Sequence, residues 1–134
     1  MRTKANYSLT EGAQEWEAIA ELKTGEGDTA CCVFNEKIYI SASYALSLEV
    51  YDPLEVYDPN ENTCTLLNYY KTEWHSGPQL LVHSDKLYMF VDEEVYNVTN
   101  GELEEVYNGI DVMSWSGNAP FLIGDIAYLW IGNR

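Results

Sequence analysis

The strongest constraint on this chain is a pattern that occurs three times: an apolar run, a two-residue polar turn, and a short strand with a Tyr at a fixed place. The first copy is Ala30-Cys31-Cys32-Val33-Phe34, Asn35-Glu36, Lys37-Ile38-Tyr39. The second is Leu80-Leu81-Val82-His83, Ser84-Asp85, Lys86-Leu87-Tyr88, and the third is Phe121-Leu122-Ile123, Gly124-Asp125, Ile126-Ala127-Tyr128. Each reads as a β-hairpin. Asn and Gly tolerate positive φ and an Asp side chain bonds its own backbone, so these pairs suit two-residue hairpin loops. Ser84 is the weakest of the turn residues.

A second pattern also recurs three times: a Tyr-bearing strand, a polar turn, and a further strand. Tyr7-Ser8-Leu9 leads to Trp16-Glu17-Ala18-Ile19; Val56-Tyr57-Asp58-Pro59-Asn60-Glu61-Asn62-Thr63 leads to Cys64-Thr65-Leu66-Leu67; Val95-Tyr96-Asn97 leads through Asn100-Gly101 to Leu103-Glu104-Glu105-Val106. The two patterns alternate strictly, with Trp16, Cys64 and Leu103 lying 23, 24 and 25 residues before Tyr39, Tyr88 and Tyr128. Twelve short strands with a period of about 40 to 50 residues are expected of an all-β propeller built from four-stranded antiparallel blades. Glu11 to Leu22 has some helical propensity, but its alignment with the other second-pattern copies makes it strand.

These motifs resemble kelch repeats. Asn35-Glu36-Lys37-Ile38-Tyr39 and Glu55-Val56-Tyr57-Asp58-Pro59-Asn60-Glu61-Asn62-Thr63 match that family's signature elements, and Trp16 stands where its Trp would. The family's double glycine is replaced by Ser41-Ala42-Ser43 and by Val91-Asp92, with only Gly132 in the last copy, and its Trp position holds Cys64 and Leu103 in the other two. The resemblance implies a propeller and a surface that binds peptides or proteins.

The phase of the repeats carries a further expectation. The chain opens on an outer-strand hairpin (residues 1–22), continues through two blades (28–68 and 76–107) and closes on an inner-strand hairpin (117–134), all within one half-propeller domain of residues 1–134. Closed propellers typically have about four to eight blades. Three blades' worth is therefore expected to be completed to six by homodimerisation, each N-terminal hairpin finishing the partner's last blade. The start at Met1 favours a whole chain over a piece of a longer ring.

Composition bounds the function. At 134 residues with 46% hydrophobic and 13% aromatic side chains, the chain can bury a core. Twenty-two acids against 7 bases leave a net charge of -15, which repels nucleic-acid phosphates and anionic membranes, so no direct nucleic acid or membrane binding is expected. Three cysteines, two of them adjacent, cannot make a disulfide framework. Met1-Arg2-Thr3-Lys4 begins no apolar signal run and no stretch approaches a membrane span, so the expected compartment is cytoplasmic.

No catalytic, metal or cofactor site is expected. The two histidines, His75 and His83, have no metal-ligand spacing, and no phosphate loop, dinucleotide fingerprint or nucleophile motif occurs. His83 aligns with Phe34 and Ile123 as a strand residue. Cys31, Cys32 and Cys64 fall on strands where an inert thiol is expected, and the acidic clusters read as solvated faces. Glu49-Val50-Tyr51-Asp52-Pro53-Leu54 and Glu55-Val56-Tyr57-Asp58-Pro59-Asn60 form a six-residue tandem duplication, read as slippage that lengthened a loop or strand.

The candidate partner-binding face is aromatic: Tyr69, Tyr70, Trp74, His75, Met113 and Trp115 in loops between blades, with Tyr44 and Asp92 in loops between the second and third strands of a blade. Such residues beside acids fit a protein-binding hot spot. Trp74 and Trp115, at similar repeat positions, equally suit packing between blades. The leading expectation is a non-catalytic module for a protein partner; the acidity reads first as a solubility device, and a basic partner is the sharper reading it leaves open. Two alternatives stand beside it. One is a small acidic inhibitor of a basic nucleic-acid enzyme, of the phage anti-defence or nucleic-acid-mimic type. The other is a sugar- or sialic-acid-modifying propeller enzyme, disfavoured because Arg2 and Arg134 are the only arginines.

Overall fold

A computed structural model describes residues 6–23, 29–42, 52–71, 78–91, 94–108 and 119–130. They form twelve strands: β1 (Asn6–Ser8), β2 (Glu17–Ile19), β3 (Thr29–Phe34), β4 (Lys37–Ala42), β5 (Asp52–Asp58), β6 (Thr63–Tyr70), β7 (Gln79–His83), β8 (Lys86–Val91), β9 (Glu94–Asn97), β10 (Glu104–Asn108), β11 (Ala119–Ile123) and β12 (Ile126–Trp130). Among the described residues the protein is all-β, and no helix is long and apolar enough to cross a membrane. The strands pair as an N-terminal hairpin β1-β2, a first sheet β3-β4-β5-β6, a second sheet β7-β8-β9-β10 and a last hairpin β11-β12. Among the described residues every pairing is antiparallel and no sheet closes into a barrel.

Turn chemistry sets this order. Asn35 and Glu36 have φ of 50° and 60°, and Ser84 and Asp85 have 49° and 59°. Both central residues left-handed is the type I′ hairpin, whose twist matches that of the strands. In the third turn only Gly124 has positive φ (60°), as a II′ turn requires of its first central residue. In the second pattern, Asp58 Oδ1 accepts the Asn60 N–H at 2.9 Å, and Asn97 Oδ1 accepts the Thr99 N–H at 3.0 Å. These side chains turn the chain without using the ladder.

The core lies between the first and second sheets. Phe34, Tyr39, Leu54, Val56 and Tyr70 from one side join Leu80, Leu87, Met89, Val91 and Val98 in a single buried cluster. Register explains the selection: Tyr39 faces Val56 and Leu80 faces Met89, so each sheet turns one set of alternate residues to the shared interface. Polar links join the remaining layers. Asn68 Nδ2 donates to Gly101 O at 3.2 Å between the two sheets, and His83 Nε2 lies 2.6 Å from Asp125 O in the last hairpin. A carbonyl only accepts, so Nε2 carries the hydrogen.

The six-residue duplication lengthens a strand. β5 runs from the end of the first copy into the second and has 7 residues against 4 in β9. β6 extends with it, because Asp52 and Pro53 supply partners for Tyr70 and Tyr69. This corrects the placement of Tyr69 and Tyr70 in a loop: both are strand residues.

Two substitutions test this account. Replacing Ser84 by Asn together with Asp85 by Gly is expected to raise the unfolding free energy by about 1 kcal/mol, read from denaturant midpoints, because those residues tolerate left-handed backbone. Met89→Ala, at 0% exposure, is expected to lower it by about 2–5 kcal/mol in the same measurement.

Candidate functional site

In the first sheet, the hairpin turns Asn35-Glu36 and Asn60–Asn62 lie at one end, while Thr29, Ala42, Asp52 and Tyr70 lie together at the other. In the second sheet, Gln79, Phe90, Glu94 and Asn108 share the corresponding end. Segments carrying the sequence-derived candidates leave from these ends. Tyr44 falls between β4 and β5, Asp92 between β8 and β9, Trp74 and His75 between β6 and β7, and Met113 and Trp115 between β10 and β11. All six lie outside the described residues.

Tyr69 and Tyr70 are described, and they part company. Between Leu54–Asn68 and Glu55–Leu66 the register of β5 and β6 shifts, leaving Leu67 as the extra residue of a bulge. A bulge reverses which side chains face which way beyond it. Tyr70 accordingly turns into the core at 3% exposure, whereas Tyr69 stands out at 47%. Tyr69 thus lies at the surface, and Tyr70 is a packing residue of this layer. The bulge has no sequence signature of its own.

Sequence reasoning missed how the N-terminal hairpin is held. Asn62, in the β5-β6 turn at φ 50°, accepts with Oδ1 both the Ala20 N–H at 2.9 Å and the Tyr57 hydroxyl at 3.1 Å. Asn6 Nδ2 donates to Ala20 O at 2.8 Å, and the Cys64 thiol points at the same carbonyl at 3.7 Å. Glu55 is buried at 2% exposure and accepts the Lys23 N–H at 2.6 Å. An open cleft of about 480 Å³ follows this seam, lined by Ala20, Glu21, Leu22, Lys23, Asn62, Thr63 and Cys64. The one available signal was Asn62 itself, a residue suited to a left-handed turn that leaves its side chain free to bond backbone.

The three thiols differ in surroundings. Cys31 is exposed, Cys32 half-buried and Cys64 buried. Burial, reinforced by Cys31, raises the Cys32 pKa, and burial, reinforced by the Glu55 carboxylate and opposed by Lys23, raises that of Cys64. Both stay protonated thiols, the poorly nucleophilic form. Among the described residues no group of three His, Cys, Asp or Glu side chains is placed to hold a metal ion.

The chain is similar to an F-box/kelch-repeat protein of Arabidopsis thaliana. The two are 27% identical over 129 residues, which is 96% of this chain and 34% of that protein. The chain thus spans about a third of the relative's length. No family model matches it. The similarity runs through all twelve strands, in agreement with the kelch-like motifs and the antiparallel four-stranded sheets.

A raised folded-state pKa for a thiol costs stability as pH climbs. Between the unfolded value and the higher folded one, only the unfolded chain releases its proton. Unfolding free energy is therefore expected to fall above about pH 8.5. Titrating denaturant midpoints from pH 7 to 9.5 should give a shallower fall for Cys64→Ala, with the Cys32 contribution remaining.

Proposed function

We propose that this chain is a kelch-like half-propeller that acts as a non-catalytic protein-interaction module, its blades completed to six by a second copy. The observation that carries the reading is the coincidence of two things. One is a meander of antiparallel four-stranded sheets stacked through alternate residues; the other is 129 aligned residues shared with an F-box/kelch-repeat protein. Sheets stacked this way spend their side chains on each other, which leaves the connecting segments at their ends to carry recognition. In sequence those segments carry Tyr44, Trp74, His75, Asp92, Met113 and Trp115, and Tyr69 stands exposed near the end of β6. Aromatic side chains among acids give large, stiff contact area with a polar rim, the composition of interface centres.

A net charge of -15 gives the partner a stated character: a basic surface is drawn to this one at long range, and nucleic acid and anionic membrane are repelled. The same charge supports a second reading, a small acidic inhibitor seated in the basic groove of a nucleic-acid enzyme. Salt separates the two. Contact centred on aromatic anchors keeps most of its affinity at raised ionic strength, whereas groove mimicry loses it steeply.

The test is affinity capture of proteins with the wild-type chain and with the triple variant Tyr69→Ala, Trp74→Ala, Trp115→Ala. A protein is expected to be recovered by the wild type, with at least about tenfold weaker binding by the variant at an unchanged melting temperature. Failure of the wild type to recover any protein, together with clear thermal stabilisation by members of a sugar-acid panel, would overturn the reading in favour of a small-molecule site.

A further inference from the structure

The sheets meet by one rule. Strands β3 and β4 turn Phe34 and Tyr39 toward the second sheet, which answers with Leu80, Leu87 and Met89. In the repeat alignment, Phe34 corresponds to His83 and Ile123, and Tyr39 to Tyr88 and Tyr128. At the second junction His83 reaches Asp125 O of the last hairpin, so the same face of each sheet is turned to its successor. The counterparts of Leu80, Val82, Leu87 and Met89 in the first sheet are Cys31, Val33, Ile38 and Ile40, the face turned toward a predecessor.

Two such faces are left at least partly open among the described residues. The N-terminal hairpin meets the Glu55 and Tyr57 side of the first sheet's predecessor-facing surface, where Ile38 and Ile40 are half-buried, and leaves its β3 side exposed. On the first sheet Val33 is 68% exposed, and Cys31, on the same face by register, is exposed with it. On the last hairpin, register puts Phe121, Ile123, Ile126 and Tyr128 on one face, with Ile123 64% and Ile126 58% exposed and the rings of Phe121 and Tyr128 stacked at 5.8 Å. One is the predecessor-facing surface and the other the successor-facing surface, the two kinds that join inside the molecule. The strand edges are complementary too. Among the described residues β11-β12 pairs with no outer strands and β1-β2 with no inner ones, and joining them gives the order β11-β12-β1-β2, matching β3-β4-β5-β6.

From this we infer that the last hairpin of one chain docks on the Cys31–Val33–Ile38–Ile40 face of a second copy, its β12 edge receiving that copy's β1. The inference rests on the half-propeller reading and specifies its junction. The contact is heterologous, different surfaces from each chain. It occurs twice in a two-fold dimer, and two copies fall within the roughly four to eight blades at which rings close. Because the joined faces are apolar while each chain carries -15, salt strengthens the association by screening repulsion, the opposite of its effect on an acidic inhibitor and its target.

Sedimentation of three samples tests the inference: wild type, Ile123→Lys/Ile126→Lys, and Val33→Asp. All three positions are exposed, so circular dichroism and melting should match the wild type at concentrations where each is monomeric. The wild type is expected at twice the chain mass, and each variant alone at the chain mass, with dissociation constants raised by about a hundredfold. Mixing the two variants restores a dimer, since one junction then joins two unaltered surfaces and the other joins opposite charges. Maleimide modification of Cys31, located by peptide mass mapping, is expected to slow at least about tenfold in the wild-type dimer relative to either variant. A wild type monomeric at all concentrations overturns the inference and points to further strands covering these faces. A mixture that stays monomeric also overturns it. The masses need no binding partner, so a monomer that still captures one fails here while leaving the interaction reading intact.

Discussion

The third strand of the first sheet is buried on both of its faces, and the layers on either side of it depend on that. The stretch from Asp52 to Tyr57 in β5 is buried at every position, which a sheet lying against one layer cannot produce. One face of the first sheet packs on the second sheet through Leu54 and Val56, and the other, at Glu55 and Tyr57, is met by the N-terminal hairpin. The chemistry of the two sides differs accordingly. Toward the second sheet the contact is apolar and continuous. Toward the hairpin it is a set of side-chain to backbone hydrogen bonds, each of which contributes about 1 kcal/mol net, so this layer is held more by direction than by area.

Much of the fold was legible because turns, rather than strands, punctuate the chain. Asn35-Glu36, Ser84-Asp85 and Gly124-Asp125 each sit between apolar runs, and the structure puts a hairpin at all three. Strand ends were less legible. Tyr69 and Tyr70 follow a run that already satisfies a short strand, and only pairing with Asp52 and Pro53, themselves products of the duplication, draws them into β6. The bulge at Leu67 then decides which of the two is core, a choice made by register and invisible to local pattern. The links through Asn62, Asn68 and His83 escaped for a related reason: each spans 33 residues or more to its partner in another layer. Of the candidate face, residue types and chain positions could be read, and Tyr69 alone is described as exposed.

The acidity and the uncovered apolar strands balance one another. An exposed hydrophobic edge is an invitation to unselective strand addition. Edges of this kind on a chain of net charge -15 are shielded from chance encounters with copies of themselves, since only contacts that keep the acids outward escape the repulsion. Charge of this sort raises the standard of fit that any occupant of those edges must meet.

The duplication that lengthened β5 has a consequence for how such a chain can change over generations. Six is an even number, and a strand's side chains alternate with a period of two. An added segment of even length leaves Val56 and Tyr57 on the sides they would have held without it. An odd increment would have exchanged the two faces of the strand in one step and exposed a core. A repeat of even length is therefore compatible with the alternation of β5, while the neighbouring β6 departs from strict alternation at its bulge.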